Sequence, residues 1–88
     1  MFRTTNNKGF QITFANGYTV SVQFGYGNHC DNRYSKDAAA SANAEVAAFN
    51  SHGGDWVKLG EHDDVIGWQT PDQVLAIMAM IATLPKED

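Results

Sequence analysis

The sequence predicts an α+β domain: an antiparallel sheet of four to five strands that opens with an N-terminal β-hairpin, one face covered by a C-terminal α-helix. Three stretches carry that expectation. Apolar residues occupy even positions from Phe10 to Phe14 and again from Tyr18 to Phe24, the period of strands with one buried face. Asn16-Gly17 separates these runs and is a strong turn signal. Thr70-Pro71-Asp72-Gln73 then opens an amphipathic run that continues to about Leu84. With 88 residues the chain makes one domain, spanning 1–88, large enough to fold without covalent staples.

Residues 1–8 read as a lead-in or a short edge strand, with Phe2 expected to tuck under the sheet. The hairpin that follows can be read down to its register. Opposed residues share a face, and a two-residue loop would set Phe14 against Thr19, apolar against polar. A three-residue loop, Ala15-Asn16-Gly17, instead pairs Phe14 with Tyr18, Ile12 with Val20 and Phe10 with Val22. A type I turn with a glycine bulge is therefore predicted. The odd positions Gln11, Thr13, Thr19, Ser21 and Gln23 form an uncharged polar face, a solvated surface that also suits docking.

Residues 25–43 leave the sheet through Gly25-Tyr26-Gly27-Asn28 and are expected to be mostly irregular. Ala44 to Asn50 fits either helix or strand. Its short length and the Ser51-His52-Gly53-Gly54 turn behind it favour a third strand, paired with a fourth at Trp56 to Leu59. Asp64 to Trp68 adds a fifth. In the last element Thr70 caps the helix, Pro71 occupies the first helical position and Gln73 completes a capping box. Val74, Leu75, Ile77, Met78, Ile81 and Leu84 make its apolar stripe, with Met80 at the margin.

Six basic against ten acidic side chains give a net charge of −4, which disfavours an electrostatic grip on nucleic acid. The acids cluster as Glu61, Asp63 and Asp64, with Asp72 close behind, and a negative surface suits a basic protein partner. A single cysteine excludes an internal disulfide, and no signal-peptide pattern opens the chain, so the cytosol is the expected location. No apolar run is long enough for a membrane helix, and no membrane partner is expected. A homodimer is plausible because the hairpin edge carries neither lysine nor proline to block pairing.

Two regions hold the candidate chemistry. The loop from Gly25 to Tyr34 offers glycines for close backbone approach and successive amides for an anion nest. Tyr26, Asn28, His29, Asp31, Asn32, Arg33 and Tyr34 are its candidate ligand contacts. It matches no established phosphate loop. His29, Cys30 and Asp31, with His52 and His62, lack the repeated short spacing of a zinc site, so neither a metal nor any other cofactor is expected. Cys30 with a histidine could make a nucleophile and base, but no catalytic motif supports an enzyme, and a cysteine at a strand exit is more often a packing residue. Trp56 and Trp68 are expected in the core or at its edge. If exposed beside the loop at 61–64, they would form a binding hot spot with a charged rim.

The strings Phe14 to Gly25, Gly27-Asn28-His29-Cys30-Asp31-Asn32, Asp64-Val65-Ile66-Gly67-Trp68 and Thr70-Pro71-Asp72 resemble small orphan proteins encoded by phages and prophages. The resemblance implies a compact acidic protein that acts by binding, in the manner of counter-defence proteins such as anti-CRISPR inhibitors or nucleotide sponges. The leading expectation is a non-enzymatic inhibitor or binding protein that docks Glu61, Asp63, Asp64 and Asp72, with Trp56 or Trp68, onto a basic protein surface. The alternative is a nucleotide binder that uses the Gly25 to Tyr34 loop at an interface between subunits.

Overall fold

A computed structural model describes residues 1–6, 8–60 and 63–86 and shows an α+β domain. The strands are β1 (Phe2–Thr4), β2 (Gly9–Thr13), β3 (Tyr18–Gln23), β4 (Ala44–Asn50), β5 (Trp56–Val57) and β6 (Val65–Gln69), followed by α1 (Pro71–Ala82). They form one antiparallel sheet in the order β1-β2-β3-β4-β5, and β6 also pairs with β4. β5 opposes Ala48 and Phe49 whereas β6 opposes Ala44 to Ala47, so the two share one edge of β4 end to end.

The hairpin has the predicted register, with Phe10 opposite Val22, Ile12 opposite Val20 and Thr13 opposite Thr19. Its turn closes through Phe14 N–H to Tyr18 O at 2.9 Å and Gly17 N–H to Phe14 O at 3.0 Å. Gly17 has φ +90°, the left-handed conformation that a glycine bulge requires. The edge of the hairpin expected to be open is covered, because β1 pairs along β2.

Even positions of β3 and β4 supply the centre of the core: Tyr18, Val20, Val22, Ala44, Val46 and Ala48 are buried with Val74 and Ile81 of α1. The alanines on β4 keep that side of the sheet shallow, which lets the helix lie across β3, β4 and β6. The helix does not reach β1. Phe2 pairs with Ile12 and therefore shares the helix-side face, yet it is 78% exposed and does not tuck under the sheet. Leu75 is likewise exposed, one residue off the stripe of Val74, Ile77, Met78, Ile81 and Leu84 that meets the core.

Both ends of α1 are closed by side chains. Thr70 Oγ1 accepts from the Gln73 amide, and the Gln73 side chain accepts from the Thr70 amide, completing the predicted capping box. At the other end Asn16, in the hairpin turn, donates its side-chain amide to Ile81 O at 2.8 Å and to Leu84 O at 3.0 Å. The same side chain accepts from the Tyr18 amide at 3.0 Å. The hairpin tip thus supplies partners for carbonyls that a helix end leaves unmade.

Candidate functional site: the uncovered sheet face and its tryptophan edge

The odd face of the sheet carries no helix. Along β3 and β4 it bears Thr19, Ser21 and Gln23 beside Phe49, Ala47 and Glu45. Its polar residues bond laterally: Thr13 Oγ1 and Thr19 Oγ1 lie 2.7 Å apart, and Thr19 Oγ1 also bonds Ser51 Oγ. Thr19 is buried by these neighbours, so the predicted solvated strip is closed at that point.

At the outer edge of this face, Trp56 on β5 lies opposite Phe49. Their rings are 5.5 Å apart, tilted by 54°. Trp56 remains 55% exposed on β5, a two-residue strand at the end of the strand order. Trp68 is 53% exposed. The expectation of core or core-edge tryptophans is therefore corrected: both belong to edge strands, and the helix covers the other face.

Trp68 is held by a local irregularity. Ala44 opposes Gln69 while Val46 opposes Ile66, so Gly67 and Trp68 together face the single residue Glu45 in a β-bulge. Trp68 has φ +51°, a left-handed conformation that costs a residue with a side chain roughly 1–2 kcal/mol. The bulge docks on the polar loop: the Trp68 amide donates to His29 O at 2.8 Å, and a Cβ on Gly67 would stand 2.7 Å from His29 Cβ. The Trp68 indole stacks on the His29 imidazole at 5.6 Å and 16°. Glu45 completes the cluster, its Oε2 lying 3.0 Å from His29 Nδ1 and accepting from the His29 amide at 2.8 Å. Sequence reasoning read Glu45 only as a strand residue. Its alternation on β4, opposite to the buried Ala44 and Val46, was the one available sign that it faces the uncovered side.

The acidic candidates divide. Asp63 and Asp64 are exposed in the loop joining the two tryptophan-bearing strands, and Asp55, also exposed, immediately precedes Trp56. Asp72 is exposed on the first turn of α1, in the helix layer rather than on the uncovered face. Glu61 and His62 lie outside the described residues.

In the Gly25 to Tyr34 loop most of the chemistry is turned inward. The amides of Gly25, Gly27, Asn28, His29, Cys30, Asp31 and Arg33 all donate within the protein, so they are not a free anion nest. Asn28 Oδ1 holds the Gly25 amide, and buried Asn32 donates to Phe24 O and Ala40 O, each at 2.9 Å. Cys30 is buried with its thiol 3.7 Å from Gly25 O, the position of a packing residue. Tyr26, Asp31 and Tyr34 face outward, and Arg33 is half-buried. Among the described residues no three His, Cys, Asp or Glu side chains group so as to hold a metal ion.

On the helix side, Phe10, Phe24, Ala42, Pro71 and Val74 line a half-open apolar cavity of about 350 Å³ between the hairpin and the start of α1. No described helix is long and apolar enough to cross a membrane. No family model matches the chain, and comparison with curated proteins and with solved structures returns no match.

Proposed function

We propose that this protein acts by binding, and that the tryptophan-bearing edge of the uncovered sheet face docks onto a basic surface of a protein partner. The observation that carries the reading is Trp68. It occupies a backbone conformation that disfavours a side chain, and more than half of it is exposed, so neither backbone preference nor core packing accounts for a tryptophan there. An exposed indole stacked on His29, which Glu45 in turn holds, is a pre-organised contact, of the residue type that dominates interface energies.

Charge complementarity selects the partner's chemistry. Residues 55–64 contain Asp55, Glu61, Asp63 and Asp64 against the single cation Lys58. Tryptophan anchors with a carboxylate rim favour an Arg- or Lys-rich surface and speed the encounter with it. The similarity to small phage proteins directs the search to host or phage proteins in the infected cell's cytosol, and an inhibitory, counter-defence role is the corresponding biological reading. Self-association through the same face would compete with that partner.

The test is affinity capture from lysate of infected and uninfected cells, followed by binding measurements on the purified candidate. The double variants Trp56→Ala/Trp68→Ala and Asp63→Lys/Asp64→Lys are each expected to abolish capture, and rising salt to weaken it. A partner retained equally by both variants and insensitive to salt would rule the proposed surface out.

A further inference from the structure

A second surface lies on the polar loop, and its chemistry is opposite to that of the tryptophan edge. Three of the six basic residues, Lys8, Arg33 and Lys36, contact the segment Phe24 to Gly27 by backbone or side chain. The Lys8 carbonyl accepts from the Phe24 amide at 2.7 Å, and the Lys8 Cα is 2.8 Å from where a Gly25 Cβ would stand. Arg33 O accepts from the Gly27 amide at 2.9 Å. Lys36 Nζ lies 5.6 Å from the centre of the Tyr26 ring, and Arg33 Cζ lies 5.8 Å from that of Tyr34. Tyr34 is 85% exposed and Tyr26 is exposed beside it in the loop.

Two observations make these groups more than a solvated loop. Among the described residues none of the three cations is paired with a carboxylate. One guanidinium nitrogen of Arg33, Nη1, is buried without any hydrogen-bond acceptor, so the group carries an unmet donor. A flat exposed ring next to an unsatisfied guanidinium fits a ligand that joins a flat ring to an anionic group.

We propose that this loop binds a nucleotide, its base against Tyr34 and its phosphates on Arg33 and Lys36. A mononucleotide is favoured over a nucleic-acid strand, because Asp31 and Asp37 flank the cations and the whole chain carries −4. The site shares no residue with the tryptophan edge, and its failure would leave the proposed docking function intact.

Calorimetry with ATP at low salt tests the site, against adenosine, inorganic triphosphate and a single-stranded oligonucleotide. ATP is expected to bind at least about tenfold more tightly than adenosine or triphosphate, because base and phosphate contacts add. Tyr34→Ala and Arg33→Gln are each expected to weaken ATP by about tenfold, and Leu75→Gln, at an exposed position on the helix, to leave it unchanged. Tyr34 is a surface residue, so its variant keeps the test valid if Arg33→Gln disturbs the loop. Absence of heat with ATP, triphosphate binding as tight as ATP, tighter binding of the oligonucleotide, or unaltered affinity in Tyr34→Ala would each overturn the proposal.

Discussion

The indole of Trp68 lies nearly parallel to the imidazole of His29, their centres 5.6 Å apart and their planes inclined by 16°. One residue belongs to an edge strand and the other to an irregular loop 39 positions earlier in the chain, and Glu45 clamps the loop partner from β4. The tryptophan edge therefore depends on how firmly the loop is seated.

Substitutions in the clamp should loosen that seat to different degrees. Glu45→Ala removes the carboxylate that contacts His29 Nδ1 and accepts from the His29 amide, with an expected loss of about 1 kcal/mol. Gly67→Ala forces a methyl group to within 2.7 Å of His29 Cβ and 3.0 Å of His29 O, and should cost about 1–3 kcal/mol. Urea unfolding measures both. Faster hydrogen exchange at the His29 and Trp68 amides is expected in each variant.

Trp68→Gly separates binding from folding. Glycine accepts φ +51° without penalty, and that relief offsets the lost ring stack, worth about 0.5–1.5 kcal/mol. Stability should stay within about 1 kcal/mol of the parent while affinity for the docking partner falls by at least about tenfold. Unfolding curves and calorimetry on the same preparation read the two quantities.

Asn16 joins the hairpin turn to the helix end through two hydrogen bonds and braces the turn itself with a third, from the Tyr18 amide. Asn16→Ala should destabilise by about 1–2 kcal/mol, which lowers the melting temperature by about 4–8 °C per kcal/mol in a domain of this size. Asn16→Asp keeps the acceptor for Tyr18 but loses both donors and places a negative charge at the negative end of the helix. It should be at least as harmful as alanine, as thermal melts followed by circular dichroism will show.

The helix stripe provides an internal contrast. Ile81 is fully buried, and Ile81→Ala should cost about 2–5 kcal/mol. Leu75 is exposed on the same helix, and Leu75→Glu should change stability by less than about 0.5 kcal/mol. Parallel denaturant titrations of the two variants check the orientation of α1.

The parts of the fold legible from the letters are those set by local pattern. Two apolar rows on even positions exclude a two-residue loop, and with Asn16-Gly17 placing the turn the Phe10 to Val22 register and the bulged turn could be read directly. The capping box of α1 is likewise a matter of four adjacent residues. What was illegible depends on which edge a distant strand joins. The exposure of Trp56 and Trp68 follows from β5 and β6 sharing the outer edge of β4, a choice that no window around either tryptophan records. Phe2 looked like a core residue because its distance from the helix is a tertiary fact. The candidate site was half legible: the polar loop and the tryptophans stand out by composition, whereas Glu45 acquires its role only when β4 presents it to His29.

The bond from Asn16 to Ile81 spans 65 positions of the chain. The hairpin can form early from neighbours alone, but this contact requires nearly the whole polypeptide to have been assembled. Such distant closures slow the search for the native state relative to a chain held by local contacts. A chain released before Ile81 is made would hold its sheet without the lid that completes it, with the even-numbered apolar rows open to other chains.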